Sequence, residues 1–407
     1  MRIAFVTPEF VTASYFSGGL AKYVYRVSKA LTSLGHEVDV VIFSDSDKTE
    51  LIHDGIRVHR LNSGPLRHWF NLLTRQRLPV TSERLDFSFQ VHRKLKELQK
   101  KNRFDIVQFT NYGACGLVSS LLLQVPHTTR ISSYQPAWNE LAGLNRSLDV
   151  KVTEWLEKLQ LRLCRHLYAP SYYLKGLLQQ ETNTKNVRVI RTPFYLETAN
   201  WDSSLYDETL RNREYLLFFG RFQLHKGFHI LAQALADFLQ AHSDCYAVLI
   251  GLDASTSLAK SMKEYARSLC AKGADRLMFL GQTRHQQLYP IIAGAKLVVL
   301  PSLIDNLPNA CLEAMGLGKP VIGTMGTSFD EIITEGETGF LVPPGDVEAL
   351  VEKIAEAWAH PHLLEIGEAA RQKVQIFAPE KTVSELLVYY RAIIDGAQKL
   401  NAETALS

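Results

Sequence analysis

The sequence predicts an α/β protein built as two doubly wound parallel-sheet domains in series, on three observations. Its 407 residues exceed what one hydrophobic core organises, and a 46% hydrophobic content supplies the interior for two. Short uninterrupted apolar runs recur, among them 2–7, 38–43, 214–219 and 297–300, as expected of strands covered on both faces. Stretches of helical spacing lie between them, and regular alternation of strand and helix marks Rossmann-like domains.

Residues 2–7 form the first strand, followed by a loop over 8–19 that ends in Gly18 and Gly19. Leu20, Val24, Val27, Leu31 and Leu34 then recur as the buried stripe of a helix closed by Gly35. Paired glycines let a ligand approach the loop, although the G-x-G-x-x-G spacing of a dinucleotide fingerprint is absent. Residues 60–103 are irregular, mixing Arg67, His68, Trp69, Phe70, Arg75 and Arg77 before a helix over 85–101. Strands follow at 105–109, 128–132 and 167–169, with helices at 116–123 and 149–163. Residues 192–213 lack periodicity and read as a linker. A second alternation places strands at 214–219, 246–250, 277–280 and 297–300 and helices at 226–240, 256–271 and 284–293. Helices at 346–358, 362–374 and 380–398 close the chain. The predicted domains are residues 1–192 and 214–376, joined by 193–213, with 377–407 as a terminal helix.

Composition narrows the setting. The five cysteines, Cys115, Cys164, Cys245, Cys270 and Cys311, form no C-x-x-C pair, which predicts reduced thiols and neither a disulfide framework nor a zinc site. No run of about 18 apolar residues is present, so no spanning helix is expected. The N-terminus leads into a strand without a signal-peptide pattern, and the expected location is the cytoplasm. Residues 57–103 hold 12 Lys and Arg against 3 Asp and Glu. That segment fits peripheral contact with an anionic membrane at its inner face, or with an acidic glycan, and equally a solvated helix face. No nucleic-acid partner is expected.

The densest chemistry lies in residues 297–324, LVVLPSLIDNLPNACLEAMGLGKPVIGT. After the strand, Asn306 caps and Pro308 starts a helix that Gly316 and Gly318 end before a strand at 320–323. The N–H groups at such a helix start can hold a phosphate. Asp305 precedes the helix and Glu313 lies within it, so two carboxylates flank an anion site, which suits a nucleotide-sugar with its adjacent hydroxyls. The other reading of the pair is a solvated loop acid and an exposed helix residue. Residues 215–230, YLLFFGRFQLHKGFHI, place Arg221 just past the strand end at Gly220 and Lys226 at the opening of the next helix. Two cations there also suit an anion. Asp45 and Asp47 have the spacing of a metal-binding Asp-x-Asp but fall in a loop, and no catalytic metal is expected.

Residues 305–321 resemble the acidic motif of the retaining glycosyltransferases of family 4, the glycosyl transferases group 1. In that motif two acids with seven residues between them precede Ala-Met and Gly-x-Pro-Val. Glu313-Ala314-Met315 and Gly318-Lys319-Pro320-Val321 stand in register here, while the first acid, usually Glu, is Asp305, one methylene shorter. The resemblance covers nearly the whole chain, most strongly residues 214–350. It implies the GT-B fold, in which two domains face a central cleft and the last helix crosses back onto the first. It also implies transfer of a sugar, with retention, from a UDP-, GDP- or ADP-linked donor to a glycan, lipid-linked or small-molecule acceptor, without a cofactor. By the same resemblance Arg221 and Lys226 bind the diphosphate, Glu313 the ribose hydroxyls and Asp305 the sugar hydroxyls. Gly18, Gly19, Gly220, Asn306, Leu307, Pro308, Asn309 and Ala310 then surround the donor.

Many members of that family carry a His after the fourth strand. Arg130-Ile131-Ser132-Ser133-Tyr134-Gln135 has none, and His127, at the strand start, reads as structural. Ser133 and Tyr134 are the candidate acceptor or sugar contacts. Three other readings stay open. The N-terminal segment resembles that of starch and glycogen synthases, which have Lys where Phe16 stands. A sugar-nucleotide 2-epimerase and a non-catalytic carbohydrate-binding protein are the others.

Overall fold

Every residue of the strand Arg2–Thr7, β1, is buried, because it lies inside an eight-stranded sheet. A computed structural model describes residues 1–12, 19–43, 50–141, 147–182, 184, 186–197 and 200–406. The chain divides into two units, Met1–Pro136 with Asn145–Phe194 and Phe377–Ser407, and Ala137–Leu144 with Tyr195–Ile376. After β1 come α1 (Gly19–Ser33), β2 (Glu37–Phe43), β3 (Glu50–His53), β4 (Ile56–Leu61), α2 (Pro65–Leu73), α3 (Pro79–Lys101) and β5 (Ile106–Thr110). The chain continues through α4 (Leu117–Leu122), β6 (His127–Arg130), α5 (Gln135–Leu141), α6 (Leu148–Leu163), β7 (Leu167–Ala169), α7 (Tyr172–Thr182) and β8 (Val187–Val189). The strand order is β3-β4-β2-β1-β5-β6-β7-β8, parallel except where β3 meets β4. Asp54 and Gly55, at φ 49° and 79°, form the two-residue turn of that hairpin.

The remainder comprises α8 (Ser204–Thr209), β9 (Glu214–Phe219), α9 (Phe228–Ala241), β10 (Cys245–Ile250), α10 (Met262–Leu269), β11 (Leu277–Gly281) and α11 (His285–Gly294). It ends with β12 (Leu297–Val299), α12 (Asn309–Gly316), β13 (Val321–Thr324), β14 (Phe340–Val342), α13 (Val347–Trp358), α14 (Leu363–Lys373) and α15 (Pro379–Leu406). The second sheet is parallel throughout, in the order β11-β10-β9-β12-β13-β14. The winding therefore reverses between β9 and β12. Ligands of doubly wound sheets bind beyond the carboxyl ends of the strands at this switch point. A parallel sheet needs cover on both faces. In the first unit α15 gives part of it, where Val383, Leu386 and Tyr390 join Ile3, Phe5, Val24 and Val27 in one core.

Several elements differ from the sequence reading. Leu34, taken as part of the α1 stripe, is 59% exposed beyond the end of the helix. The irregular stretch after residue 60 contains α2, and α3 starts at Pro79 because the N–H groups of Val80 and Thr81 both donate to the Asp149 carboxylate at 2.9 Å. The supposed linker carries α8, whose Tyr206 ring packs against Gly294. The helix read over 256–271 stops at Leu269, and residues 271–276 tighten into a 3-10 turn. β14 closes the second sheet where only helices were expected. All five cysteines are buried and unpaired by disulfides. Among the described residues no helix is long and apolar enough to cross a membrane.

Candidate active site

At the carboxyl end of β9 the Gly220 N–H donates to the Ile250 carbonyl at 2.9 Å, and the Phe222 N–H to that of Leu252 at 3.0 Å. These bonds prolong the pairing with β10 and leave Arg221, between them, exposed at the sheet edge. The Phe222 ring stacks on that of Phe228, centroids 4.3 Å apart, and so fastens the two ends of the loop. Gly227 sits at φ 67°, and a Cβ there would lie 1.8 Å from the Pro301 carbonyl oxygen. No other residue permits that approach. The Leu303 N–H donates to the His225 carbonyl at 2.9 Å, so the loop after β9 lies backbone to backbone on the loop after β12.

This packing joins two of the predicted site residues. Lys226 Nζ donates to Asp305 Oδ2 at 2.6 Å, the side chains being 31% and 12% exposed. Ser328 Oγ holds the Asp305 carbonyl at 2.8 Å. The neighbouring His225 was not singled out in the sequence. Burial first, and then the charges of Lys226 and Arg221 against the opposing pull of Asp305, bring its pKa down to about 4. His225 is therefore neutral near neutral pH.

The helix α12 starts at Asn309 with Pro308 at its N-cap, not with Asn306 capping and Pro308 inside as the sequence suggested. The extended Pro308 presents its carbonyl to the Leu312 N–H at 3.1 Å, which closes the first turn. That turn has no side-chain cap and no acidic residue, and the N–H groups of its first residues lack partners within the helix. Leu307, Asn309 and Ala310 are half-buried around it. Glu313, one turn further in, is only 3% exposed. The alternative reading of it as an exposed helix residue is corrected, because α12 buries Cys311, Leu312, Glu313, Ala314 and Met315 together. His285 Nε2, at the start of α11, lies 3.4 Å from Glu313 Oε1, a partner the sequence reading missed.

Gly18, Asp45 and Asp47 lie outside the described residues, and Gly19 is the first residue of α1. The Ser133 carbonyl accepts from Asn111 Nδ2 at 2.7 Å. Tyr134 is 3% exposed and donates its hydroxyl to Glu181 at 3.0 Å. Among the described residues no group of three or more His, Cys, Asp or Glu is placed to hold a metal ion.

Two family models match the chain, "Glycosyltransferase Family 4" over residues 17–197 and "Glycosyl transferases group 1" over 207–373. The first match falls mostly in the first unit and the second within the second. The lipopolysaccharide core biosynthesis mannosyltransferase LpcC of Rhizobium leguminosarum bv. viciae is 30% identical over 178 residues, which is 43% of this chain and 50% of that protein. The chain thus matches about half the length of that relative. A solved sucrose-phosphate synthase from Thermosynechococcus elongatus superposes with a TM-score of 0.80 at 20% identity, covering 97% of this chain and 99% of the other. The Anabaena protein HepE, solved with UDP and glucose, gives 0.71 at 20% identity over 96% and 100% of the two chains. The fold is GT-B, residues 207–373 match the glycosyl transferases group 1 and residues 17–197 the glycosyltransferases of family 4, and the chain is a glycosyltransferase.

Proposed function

We propose that the protein transfers a sugar from a nucleoside diphosphate to an acceptor with retention of anomeric configuration, using the β9–β12 edge as its donor site. The observation that carries this reading is the 2.6 Å Lys226–Asp305 pair at the switch point, beside the uncapped start of α12 and near Arg221 on the same loop. Two cations and a helix N-terminus suit a diphosphate. Its departure from the anomeric carbon builds negative charge on the β-phosphate and positive charge on the sugar. Arg221, Lys226 and the N–H groups of Asn309 and Ala310 stabilise the former. Lys226 exchanges Asp305 for a phosphate oxygen, and the released carboxylate accepts from sugar hydroxyls. Glu313 accepts from the ribose. Similarity to HepE puts UDP-sugars first among the donors to try, with GDP- and ADP-sugars next. The test is product NMR with excess EDTA present. The expected product keeps the donor's anomeric configuration at an undiminished rate; inversion, or activity abolished by the chelator, would overturn the reading.

For the acceptor the observation is on α2, where Trp69, Leu72 and Leu73 share one face and are 60%, 62% and 77% exposed. Arg75 and Arg77 follow them, exposed, and α2 contains no acidic residue. Arg67 is already paired with Glu83 at 3.3 Å. Apolar side chains ringed by unopposed cations match an anionic bilayer, and we propose a lipid-linked acceptor met at that surface. Each such cation contributes about 1 kcal/mol, screened within about 8 Å at physiological salt. Sedimentation with phosphatidylglycerol vesicles should show binding at low salt that falls as salt rises. Trp69→Ser with Leu72→Ser should lower it at least about fivefold, and Arg75→Ser with Arg77→Ser should remove its salt dependence. Binding indifferent to salt and to both pairs would mean a solvated surface.

A further inference from the structure

The Glu313 carboxylate is buried on α12, while the residue that meets it comes from another element. His285 opens α11, and its Nε2 approaches Glu313 Oε1 to 3.4 Å. The two positions are far apart in sequence and are brought together because α11 leads back across the sheet to β12, the strand before α12. The His285 ring stands edge-on to Tyr289, one turn further along α11, with centroids 5.7 Å apart and planes at 89°. Tyr289 is 1% exposed, so the imidazole rests on a fixed base. Its own side chain is 44% exposed, against 5% for Glu313. The histidine thus stands at the rim, and the carboxylate beneath it is held from the solvent side.

A carboxylate that must accept two adjacent hydroxyls needs a fixed rotation, since each of its oxygens offers lone pairs in its own plane. His285 Nε2, 3.4 Å from Oε1, is within ion-pair reach without making a hydrogen bond, and it limits the turning of that plane on its side. We infer that His285 is a positioning residue that orients Glu313, so that this pair sets the preference of the donor site for a ribonucleotide over its 2′-deoxy counterpart. The inference rests on the donor reading above, and it adds a second residue to a recognition that the acidic motif assigns to one. In this account a 2′-deoxy ligand leaves a buried, oriented carboxylate short of a donor, which is costly. Without His285 the carboxylate turns more readily, and the penalty for the missing hydroxyl shrinks.

The experiment titrates the full-length protein with UDP, GDP and ADP, each beside its 2′-deoxy form, in the wild type, His285→Phe and His285→Gln. Phenylalanine keeps a ring against Tyr289 but cannot donate, and glutamine restores an N–H near the position of Nε2. The wild type should prefer the ribonucleotide by about tenfold. His285→Phe should reduce that preference to about twofold and raise the donor KM about three- to tenfold with kcat within about twofold, and His285→Gln should recover most of both. A ribose preference unchanged in His285→Phe, or tighter binding in that variant, would overturn the inference while the donor reading stands. If none of the three nucleotides binds the wild type, the donor reading fails and this inference fails with it.

Discussion

Lys226→Ala should lower glycosyl transfer by about 10²–10³-fold, the usual loss when one preorganised group facing a developing charge is removed. Two effects act in the same direction. The diphosphate loses a cation, and Asp305, whose side chain is only 12% exposed, keeps a negative charge with its 2.6 Å partner gone. The double variant Lys226→Ala with Asp305→Asn separates them. The second change removes the unpaired charge, so the protein should regain stability, and it should stay slow because the cation for the diphosphate and the acceptor for the sugar hydroxyls are both gone; recovered activity would mean that the pair is only structural. Glu313→Gln, nearly isosteric at a buried site, should keep the fold and lower kcat/KM at least about tenfold. Initial rates with unfolding midpoints measured in parallel decide the matter, and near-normal turnover in either single variant would remove that residue from the site.

Gly227→Ala should be as damaging by another route. The substitution places a methyl group 1.8 Å from the Pro301 carbonyl oxygen, a backbone atom that cannot turn away, at a φ of 67°. The strained backbone alone costs about 1–3 kcal/mol. The clash must also part the two loops whose contact brings Lys226 to Asp305. Gly336→Ala is the control, because its φ is 72° and nothing lies within 4 Å of the added carbon. The control should lose only the strain energy and keep its rate. Gly227→Ala should lose more stability and nearly all transfer, as thermal unfolding and initial rates would show. Equal behaviour of the two variants would mean that the loop contact does not matter to the site.

The two alternations were readable because strands covered on both faces are written as apolar runs: β9, Glu214–Phe219, has the limits expected of it, and β12 lies within its predicted run. What escaped depends on partners elsewhere in the chain. The start of α3 is set by Asp149, on α6, and no local pattern contains that cap. In β3 the exposed Ile52, at 75%, breaks the alternation expected of a half-buried edge strand, although the Asp54-Gly55 turn was there to be read. The same division runs through the site. Arg221, Lys226, Asp305 and Glu313 stand in short motifs at strand and helix ends. The burial of Glu313, the approach of His285 and the low pKa of His225 follow from packing between elements, which spacing along one segment does not express.

The measurement closest to the central claim is thermal unfolding of the wild type and of Arg221→Ala with Lys226→Ala, each titrated with UDP, GDP and ADP in EDTA. A ligand at about 100 times its Kd stabilises the folded state by about 2.7 kcal/mol. The account predicts that one nucleotide raises the wild-type midpoint accordingly and that the shift is lost in the double variant. No shift with any of the three, or an equal shift in both proteins, would contradict a diphosphate site at Arg221 and Lys226.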